Sequence, residues 1–260
     1  MTEAQQRGTG LAYMSAFFRA YVGGETQFIP ILTGDAPPPP SAATNDLFVS
    51  YHAPDTPALR LDVNRLLDNT NLTLNNLGGA VTQIGLTPYD LCGGEAPQPA
   101  TCLPGQPNSR QPHTTPSARS TKRGLSQLRT GWTNFTGSYQ NDVPSTLSNV
   151  SGYQAVQFRV SVNFADARNM ADLVQDFRVR LTDGAGLSAS VRVSDVSGAL
   201  FFPPGKTGPV PKVVLNTVRI PLSAFGGINL TNVRSVQFTF DERLQGAVLI
   251  TDLAFASSPQ

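Results

Sequence analysis

The C-terminal half of the chain is dominated by segments in which apolar and polar residues alternate. Residues 155–164 read AVQFRVSVNF, residues 176–183 read DFRVRLTD and residues 187–195 read LSASVRVSD, so that every second side chain is apolar. A period of two places successive side chains on opposite faces of a β-strand. Each segment therefore predicts an antiparallel strand with one face on a core and the other toward solvent.

The remaining apolar segments extend this pattern to a whole domain. The sequence DGAG at 183–186 suits a hairpin turn, and 23 glycines and 21 prolines indicate many further turns. Short strands separated by frequent turns are typical of a β-sandwich, so we predict an all-β sandwich with one N-terminal helix. The other predicted strands are 47–52, 59–63, 77–86, 213–222, 233–240 and 247–255.

The N-terminal segment 9–22 (TGLAYMSAFFRAYV) has a helical period instead. Its large apolar residues recur at i, i+3, i+4 and i+7, which indicates a helix that buries one face. Thr9 is the predicted N-cap, and Gly23-Gly24 end the helix. No second helical stripe follows, so this helix needs a partner surface elsewhere. The stripe consists of Leu11, Met14, Phe17, Phe18, Tyr21 and Val22.

Residues 8–36, which include this helix and the short tail ILTG, resemble the end of a bacterial secreted α/β-hydrolase of the lipase or esterase kind. The resemblance implies that 1–36 is the terminal helix of an upstream hydrolase-like domain, with 37–46 as a proline-rich linker and 47–260 as a β-sandwich module. Four prolines at 37–40 suit a semi-rigid spacer. The alternative is an ordinary helix packed against its own sheet.

A second resemblance covers residues 128–257. This region is similar to the galactose-binding-like jelly roll of carbohydrate-binding modules and of the complex I assembly factor 30 domain. The resemblance implies a jelly-roll fold and a possible carbohydrate ligand, although a fold alone does not determine function. The positions that carry it are Ile220, Pro221, Leu222, Ser223, Phe225, Leu230, Val233, Val236, Phe238, Phe240 and Asp252.

Composition excludes some classes of function. The net charge is +1 and charged residues make up 14%, so there is neither the basic footprint of a nucleic-acid-binding protein nor a polybasic patch for membranes. No run of eighteen apolar residues predicts a membrane-spanning helix. The expected partner is a polysaccharide or another cell-surface polymer.

Two cysteines, Cys92 and Cys102, flank a short loop rich in Gly, Pro and Ala. We predict a disulfide, which would contribute about 2–3 kcal/mol in the chain-entropy model and implies a secreted protein. The alternative is two free thiols. A metal site would need further ligands, and His113 is the only imidazole nearby. A long Pro/Ser/Thr-rich loop is predicted at 93–124.

No arrangement of residues predicts catalysis. The G-x-S-x-G motif of hydrolases is absent. Only two histidines occur, and His52 beside Asp55 is predicted to lie near a surface turn rather than in a Ser–His–Asp triad. The adjacent Asp241 and Glu242 would point apart on a strand, unlike the facing carboxylates of glycosidases. We therefore expect this chain alone to be non-catalytic.

Ligand binding is the better hypothesis. Sugar sites combine an exposed aromatic ring with planar amide and guanidinium groups, and several predicted strands carry such side chains on their polar faces. The alternative is a solvated sheet face with Trp132 buried beneath it. The predicted ligand-binding residues are Trp132, Tyr139, Arg159, Arg178, Arg180 and Arg192, with Gln157, Asn163 and Tyr153 nearby.

The resemblance suggests a structural Ca²⁺ as a cofactor, because jelly-roll modules often hold one with carboxylate and carbonyl oxygens. Asp252 matches the terminal-strand aspartate of the resembled family, and Asp142 is a candidate second ligand. The alternative for Asp252 is a hydrogen bond that orients a turn. The run FFPPG at 201–205 is predicted to be either a contact patch or a plug over the core.

Overall fold

A computed structural model of the protein describes residues 2–42, 49, 51–66, 71–92, 126–163, 166–170, 173–201 and 215–258. Several predictions fall outside these residues. They are the loop 93–124, Cys102, His113 and all but the first residue of the run 201–205.

Two antiparallel sheets form a β-sandwich, as predicted. Sheet I has six strands in the order β3-β4-β11-β6-β9, with β1 also paired to β11. Sheet II has five strands in the order β2-β5-β10-β7-β8. The strands are β1 (Arg60–Asn64), β2 (Val81–Ile84), β3 (Tyr89–Cys92), β4 (Gln127–Trp132), β5 (Gly137–Asp142), β6 (Ala155–Val162), β7 (Arg178–Asp183), β8 (Ser188–Arg192), β9 (Asn216–Pro221), β10 (Val233–Phe240) and β11 (Gly246–Ala256).

Strands β3, β4 and β5 are absent from the sequence-based prediction. Their sequences YDLC, QLRTGW and GSYQND have few β-branched residues and little alternation. They are extended because β4 pairs with β11 and β5 pairs with β10, the long central strands of the two sheets. Tertiary pairing thus overrides weak local propensity.

The core between the sheets is built on aromatic rings. Phe238 of β10 lies 4.9 Å from the Phe158 ring of β6 and 5.4 Å from the Phe177 ring, centroid to centroid. Trp132 stacks on Phe240 with centroids 4.4 Å apart. Burial of each such side chain contributes roughly 1.5–3 kcal/mol, so these rings hold the two sheets together.

The outer face of sheet I is covered, which corrects the expectation that β6 has one face toward solvent. The outward side chains Gln157 and Ser161 are buried, as is Leu249 of β11. Arg219 of β9 contributes to this cover, because its guanidinium donates hydrogen bonds to Gln157 Oε1 at 2.7 Å and to Ser258 Oγ at 3.0 Å. Sheet II has the more open outer face, since the outward side chains of β7 and β8 are partly or fully exposed.

The N-terminal segment adds a helix α1 (Glu3–Tyr21) and a short helix α2 (Ile29–Thr33). Helix α1 begins earlier than predicted, and its N-cap is Thr2 rather than Thr9. The Thr2 hydroxyl accepts from the Gln5 N–H while the Gln5 side chain accepts from the Thr2 N–H, a capping box that outweighs the glycines inside the helix. Gly23 and Gly24 end the helix as predicted, with Gly24 at φ 70°.

Asp35, which follows α2, connects the N-terminal segment to the β-sandwich by hydrogen bonds. Its carboxylate accepts hydrogen bonds from Arg219 Nε at 3.0 Å, Ser258 Oγ at 2.5 Å and Thr33 Oγ1 at 2.6 Å. The assignment of 1–36 to an upstream domain and of 37–46 to a linker stays a prediction. None of the helices in the described part of the chain combines the length and hydrophobicity required to cross a membrane.

Several carboxylates ionise more readily than usual. Burial raises the pKa of Asp35, but the hydrogen bonds from Ser258 and Thr33 and the charge of Arg219 outweigh it, and the pKa is lowered. Burial also raises the pKa of Asp166, but the hydrogen bonds from Arg168 and its charge outweigh burial, and the pKa is lowered. Backbone N–H groups, first that of Asn229, lower the pKa of Asp183.

These shifts predict acid sensitivity. A carboxyl whose pKa is lower in the folded protein binds fewer protons there than in the unfolded chain. It therefore stabilises the folded protein fully above the unfolded pKa, which is about 4. This stabilisation is lost as the pH falls through the folded pKa. We expect the melting temperature to be level near neutral pH and to fall below about pH 4. Calorimetry at constant ionic strength checks this, and a melting temperature that stays constant down to pH 3 would contradict it.

Candidate functional site

The outer face of sheet II carries rows of polar side chains in register. In the middle row, Gln237 of β10 pairs with Gln140 of β5 on one side and with Arg180 of β7 on the other. Thr82 of β2 and Ser190 of β8 extend this row to both edges of the sheet. Strands lie about 4.8 Å apart, so the middle row is roughly 19 Å long. It offers two amides, one guanidinium and two hydroxyls to solvent along one line.

Parallel rows lie on either side of it. One consists of Ile84, Ser138, Thr239, Arg178 and Arg192, and the other of Asp142, Ser235, Thr182 and Ser188. We call the three rows together the polar face. Its side chains alternate along each strand with core residues such as Phe238, so its composition follows from the same period that builds the core.

The structure brings three of the four predicted arginines together on the polar face, but they differ in their partners. Arg178 and Arg192 hold the Glu242 carboxylate between them, with N–O distances of 2.5 and 2.7 Å. Arg180 Nε donates to Ser190 Oγ at 3.2 Å. No carboxylate in the described part of the chain pairs with Arg180. Its guanidinium therefore keeps donors for a ligand, whereas the other two are neutralised.

A hollow lies beside the polar face, next to the paired strands β5 and β10. Its volume is about 470 Å³, and its lining includes Gln140, Asp142, Arg234 and Ser235. Asp142 accepts a hydrogen bond from Gln140 Nε2 at 2.8 Å. Gly79 lines the other side, where a Cβ would come within 2.0 Å of the Asp142 carbonyl oxygen, so only glycine permits this close approach.

The other predicted ligand-binding residues are elsewhere. Arg159 lies on β6 of the covered sheet I, with Gln157, and Asn163 follows that strand. Trp132 is 1% exposed and donates from Nε1 to the Arg243 carbonyl at 2.9 Å, so the alternative of a buried tryptophan is correct. Tyr139 is fully buried and its hydroxyl accepts from Asn64 at 3.0 Å. Both rings point inward from their strands and offer no face to a ligand.

Aromatic rings are absent from the polar face in the strands the structure describes. Tyr153 packs on Phe255 and donates to the Pro57 carbonyl. Phe135, 54% exposed in the turn between β4 and β5, is an exposed ring at the end of sheet II. Phe201, the first residue of the predicted patch or plug, is 42% exposed. A ligand on the polar face would be held mainly by hydrogen bonds.

Asp252 lies at a β-bulge in β11, where it adopts φ 67°. Its buried carboxylate pairs with the buried guanidinium of Arg60 on β1 and lies 2.9 Å from His52 Nδ1. Burial raises its pKa, but the hydrogen bond from His52 and the charge of Arg60 outweigh burial, so that the pKa is lowered. The partners that the sequence did not identify are Arg60 and His52.

The structure separates the two predicted Ca²⁺ ligands, and the Ca²⁺ site stays a prediction. A guanidinium already neutralises Asp252, while Asp142 belongs to the other sheet and accepts from Gln140. Within the described residues no group of three or more His, Cys, Asp and Glu side chains is placed to hold a metal ion. The bulge aspartate instead joins β11 to β1 through Arg60.

His52 is exposed near a turn, as predicted, and it pairs with Asp252, whereas Asp55 pairs with Arg65 at 3.1 Å. No serine, threonine or cysteine in the described ranges forms a hydrogen bond with His52, so a Ser–His–Asp triad is not assembled there. Cys92 ends β3 and is fully buried. Its predicted bridge to Cys102 stays a prediction.

Sequence reasoning did not single out Gln140, Gln237 or Thr82. For Gln237 the signal was present, because it occupies a polar position in the alternating segment 233–240. Gln140 carried no such signal, since β5 does not alternate clearly. Only the pairing of five strands shows that these amides and Arg180 lie on one line.

No family model matches the chain, and no curated protein sequence matches it. Solved structures of similar fold include the family 11 carbohydrate-binding module of the cellulosomal cellulase Lic26A-Cel5E of Clostridium thermocellum, at 8% identity and a TM-score of 0.42 over 77% of this chain and 96% of that one. The family 30 module of the cellulosomal cellulase Cel9D-Cel44B of the same organism has 14% identity and a TM-score of 0.36 over 54% and 80%. At such values the likeness concerns the fold alone.

Proposed function

We propose that this chain is a non-catalytic β-sandwich module whose polar face binds a polysaccharide or another cell-surface polymer. The observation that carries the proposal is the middle row of the polar face. Its amides and guanidinium both present planar groups that hydrogen-bond to sugar hydroxyls, and the row crosses the whole sheet. A linear polymer lying across the strands would meet these groups in succession.

The chemistry of the face favours many moderate contacts over a few strong ones. A hydrogen bond contributes about 0.5–1.5 kcal/mol, and about 1.5–3 kcal/mol where one partner is charged, as for Arg180. With no aromatic platform among the described strands, we expect weak binding to single sugars and stronger binding to polymers that span the row. The lack of an aromatic ring on the described polar face is also compatible with a purely structural domain that binds no ligand. Measuring polymer binding separates the ligand-binding module from the structural domain.

We further propose that the module belongs to a secreted hydrolase-like protein. The support is the resemblance of residues 8–36 to the last helix of such enzymes and the predicted disulfide between Cys92 and Cys102. The module would then bind a polymer near the enzyme or stabilise the enzyme. The alternative is that the chain is the non-catalytic end of an α/β-hydrolase of the esterase or lipase kind.

Replacing Arg180 and Gln237 together with alanine should weaken polymer binding by roughly tenfold or more, because each loses a hydrogen bond worth about 1 kcal/mol or more. Affinity electrophoresis with soluble mixed-linked β-glucan, agarose, alginate and polygalacturonate gives the measurement. The panel contains neutral and acidic polymers, so it also shows whether the charge of Arg180 selects the ligand.

Alanine at Arg243 and Gln245 provides the matched control. Both residues are exposed in the turn before β11, away from the middle row, and their loss should leave binding unchanged. Equal loss in both variants would place the site elsewhere. If none of the polymers retards the native chain, the structural alternative is favoured.

A further inference from the structure

Helix α1 presents its large apolar side chains to solvent. The stripe that the sequence suggests would be buried is instead at least half exposed along its whole length, while the small side chains of Ala16 and Ala20 are the buried ones. The exposed fractions are 54% for Leu11, 55% for Met14, 50% for Phe17, 60% for Phe18, 55% for Tyr21 and 76% for Val22.

The exposed stripe is held in place. Phe17 contacts Phe18 and Tyr21 with ring centroids 5.7 and 5.1 Å apart, so three aromatic rings form one cluster on the surface. At the end of the helix, Arg19 pairs with Glu25 at 2.6 Å and lies over the Phe28 ring. These contacts fix the helix end and leave the aromatic cluster facing outward.

The exposed area of the stripe is large enough for an interface with another protein surface. Aromatic side chains bury about 150–250 Å² each, so three at half exposure leave roughly 300 Å², and the three aliphatic side chains add roughly 250 Å². Apolar patches on monomers rarely exceed a few hundred Å². Two such stripes facing each other would bury roughly 1,100 Å², which reaches the lower end of specific protein interfaces.

We propose that a second copy of this chain covers the stripe, with the two α1 helices antiparallel about a two-fold axis. In a symmetric dimer the same patch serves both partners, and a continuous apolar stripe is complementary to itself. With the axis crossing the stripe at the height of residue 16, Leu11 of one copy lies opposite Tyr21 of the other, and Met14 lies opposite Phe18. Four of the six large residues of the stripe then lie opposite a large apolar residue of the other copy.

Charge supports the antiparallel arrangement. Arg7 precedes Leu11 by one turn on the same stripe, is exposed, and makes no hydrogen bond or ion pair with any described residue. The antiparallel pairing brings Arg7 toward the carbonyl end of the partner helix, which ends at Tyr21. A cation is stabilised there by the helix dipole. A parallel arrangement would instead bring the two Arg7 side chains together.

Sedimentation velocity of the full chain over a concentration series tests the proposal. We expect a dimer that dissociates on dilution, and we expect Met14→Glu with Phe18→Glu to be monomeric at every concentration. Met170→Glu is the matched control, since Met170 is 61% exposed outside α1, and it should leave the dimer intact. A native chain that stays monomeric overturns the proposal and leaves the stripe to a different partner. Loss of the thermal transition in the double variant would also overturn it, because the side chains would then be packed within one copy.

Cysteine pairing tests the direction of the helices. In the antiparallel dimer the two Leu11 residues are about 15 Å apart along the helix axis, too far for a disulfide, whereas Leu11 and Tyr21 of different copies are adjacent. Leu11→Cys alone should not cross-link, and a mixture of Leu11→Cys with Tyr21→Cys should. Cross-linking of Leu11→Cys with itself would overturn the antiparallel pairing.

Discussion

Replacing Arg60 with methionine should lower the free energy of unfolding by about 3–5 kcal/mol, because it leaves the buried carboxylate of Asp252 without its guanidinium partner. The Arg60 side chain is 1% exposed and that of Asp252 is fully buried, so neither group can recover water in the folded protein. Methionine preserves most of the volume, which separates the effect of charge from that of packing. Urea unfolding followed by circular dichroism gives the measurement.

A second variant identifies the cause. When Asp252→Asn is added to Arg60→Met, neither position of the buried pair carries a charge, and part of the lost stability should return. Asparagine tolerates the left-handed backbone at this bulge, where φ is 67°. Arg180→Met, on the open polar face, is the control and should change stability by less than about 0.5 kcal/mol. If the double variant is less stable than Arg60→Met alone, the buried charge is not the cause.

Phe238→Ala should cost about 3–5 kcal/mol, since it removes a buried ring from the centre of the core. The Phe238 ring contacts Phe158 and Phe177, and its centroid lies 5.7 Å from that of Tyr139, so the cavity would be lined by rings that cannot collapse into it. For a domain of this size the melting temperature should fall by roughly 10 °C.

Phe135→Ala is the matched control for that prediction. Its ring is 54% exposed, so the same change of side chain should shift the melting temperature by no more than a degree or two. Similar shifts for the two variants would show that the core tolerates the loss of Phe238. Because Gln237 and Thr239 flank Phe238 on β10, the destabilised variant should also bind polymer less tightly near its melting temperature.

The amino-acid sequence determined the local character of the strands. Alternation over 155–164, 176–183 and 187–195 predicted β6, β7 and β8, because a period of two depends only on neighbouring residues. Apolar segments at 233–240 and 247–255 located β10 and β11, and the pair Gly23-Gly24 located the end of α1. A glycine pair ends a helix and an alternating pattern favours a strand through local effects. Both could therefore be recognised without knowing which strands pair.

Only the tertiary structure decided which face each strand presents to solvent. Arg159 and Arg180 occupy equivalent polar positions in their own strands, yet β6 belongs to a covered sheet and β7 to an open one. Trp132 and Tyr139 became core residues when β4 paired with β11 and β5 with β10. Pairing between distant segments carries no local signal, and it alone sets these outcomes.

The exposure of the α1 stripe and the partner of Asp252 were also decided by tertiary packing and not by local sequence. Helical periodicity specified that Met14 and Phe18 share a face, but the packing of Ala16 and Ala20 inward turned that face toward solvent. Asp252 could be recognised as a terminal-strand aspartate, but Arg60 is 192 residues away in sequence and meets it only because β1 pairs with β11. Local sequence determined which groups occur together on an element, and the assembly of the sheets determined what each group touches.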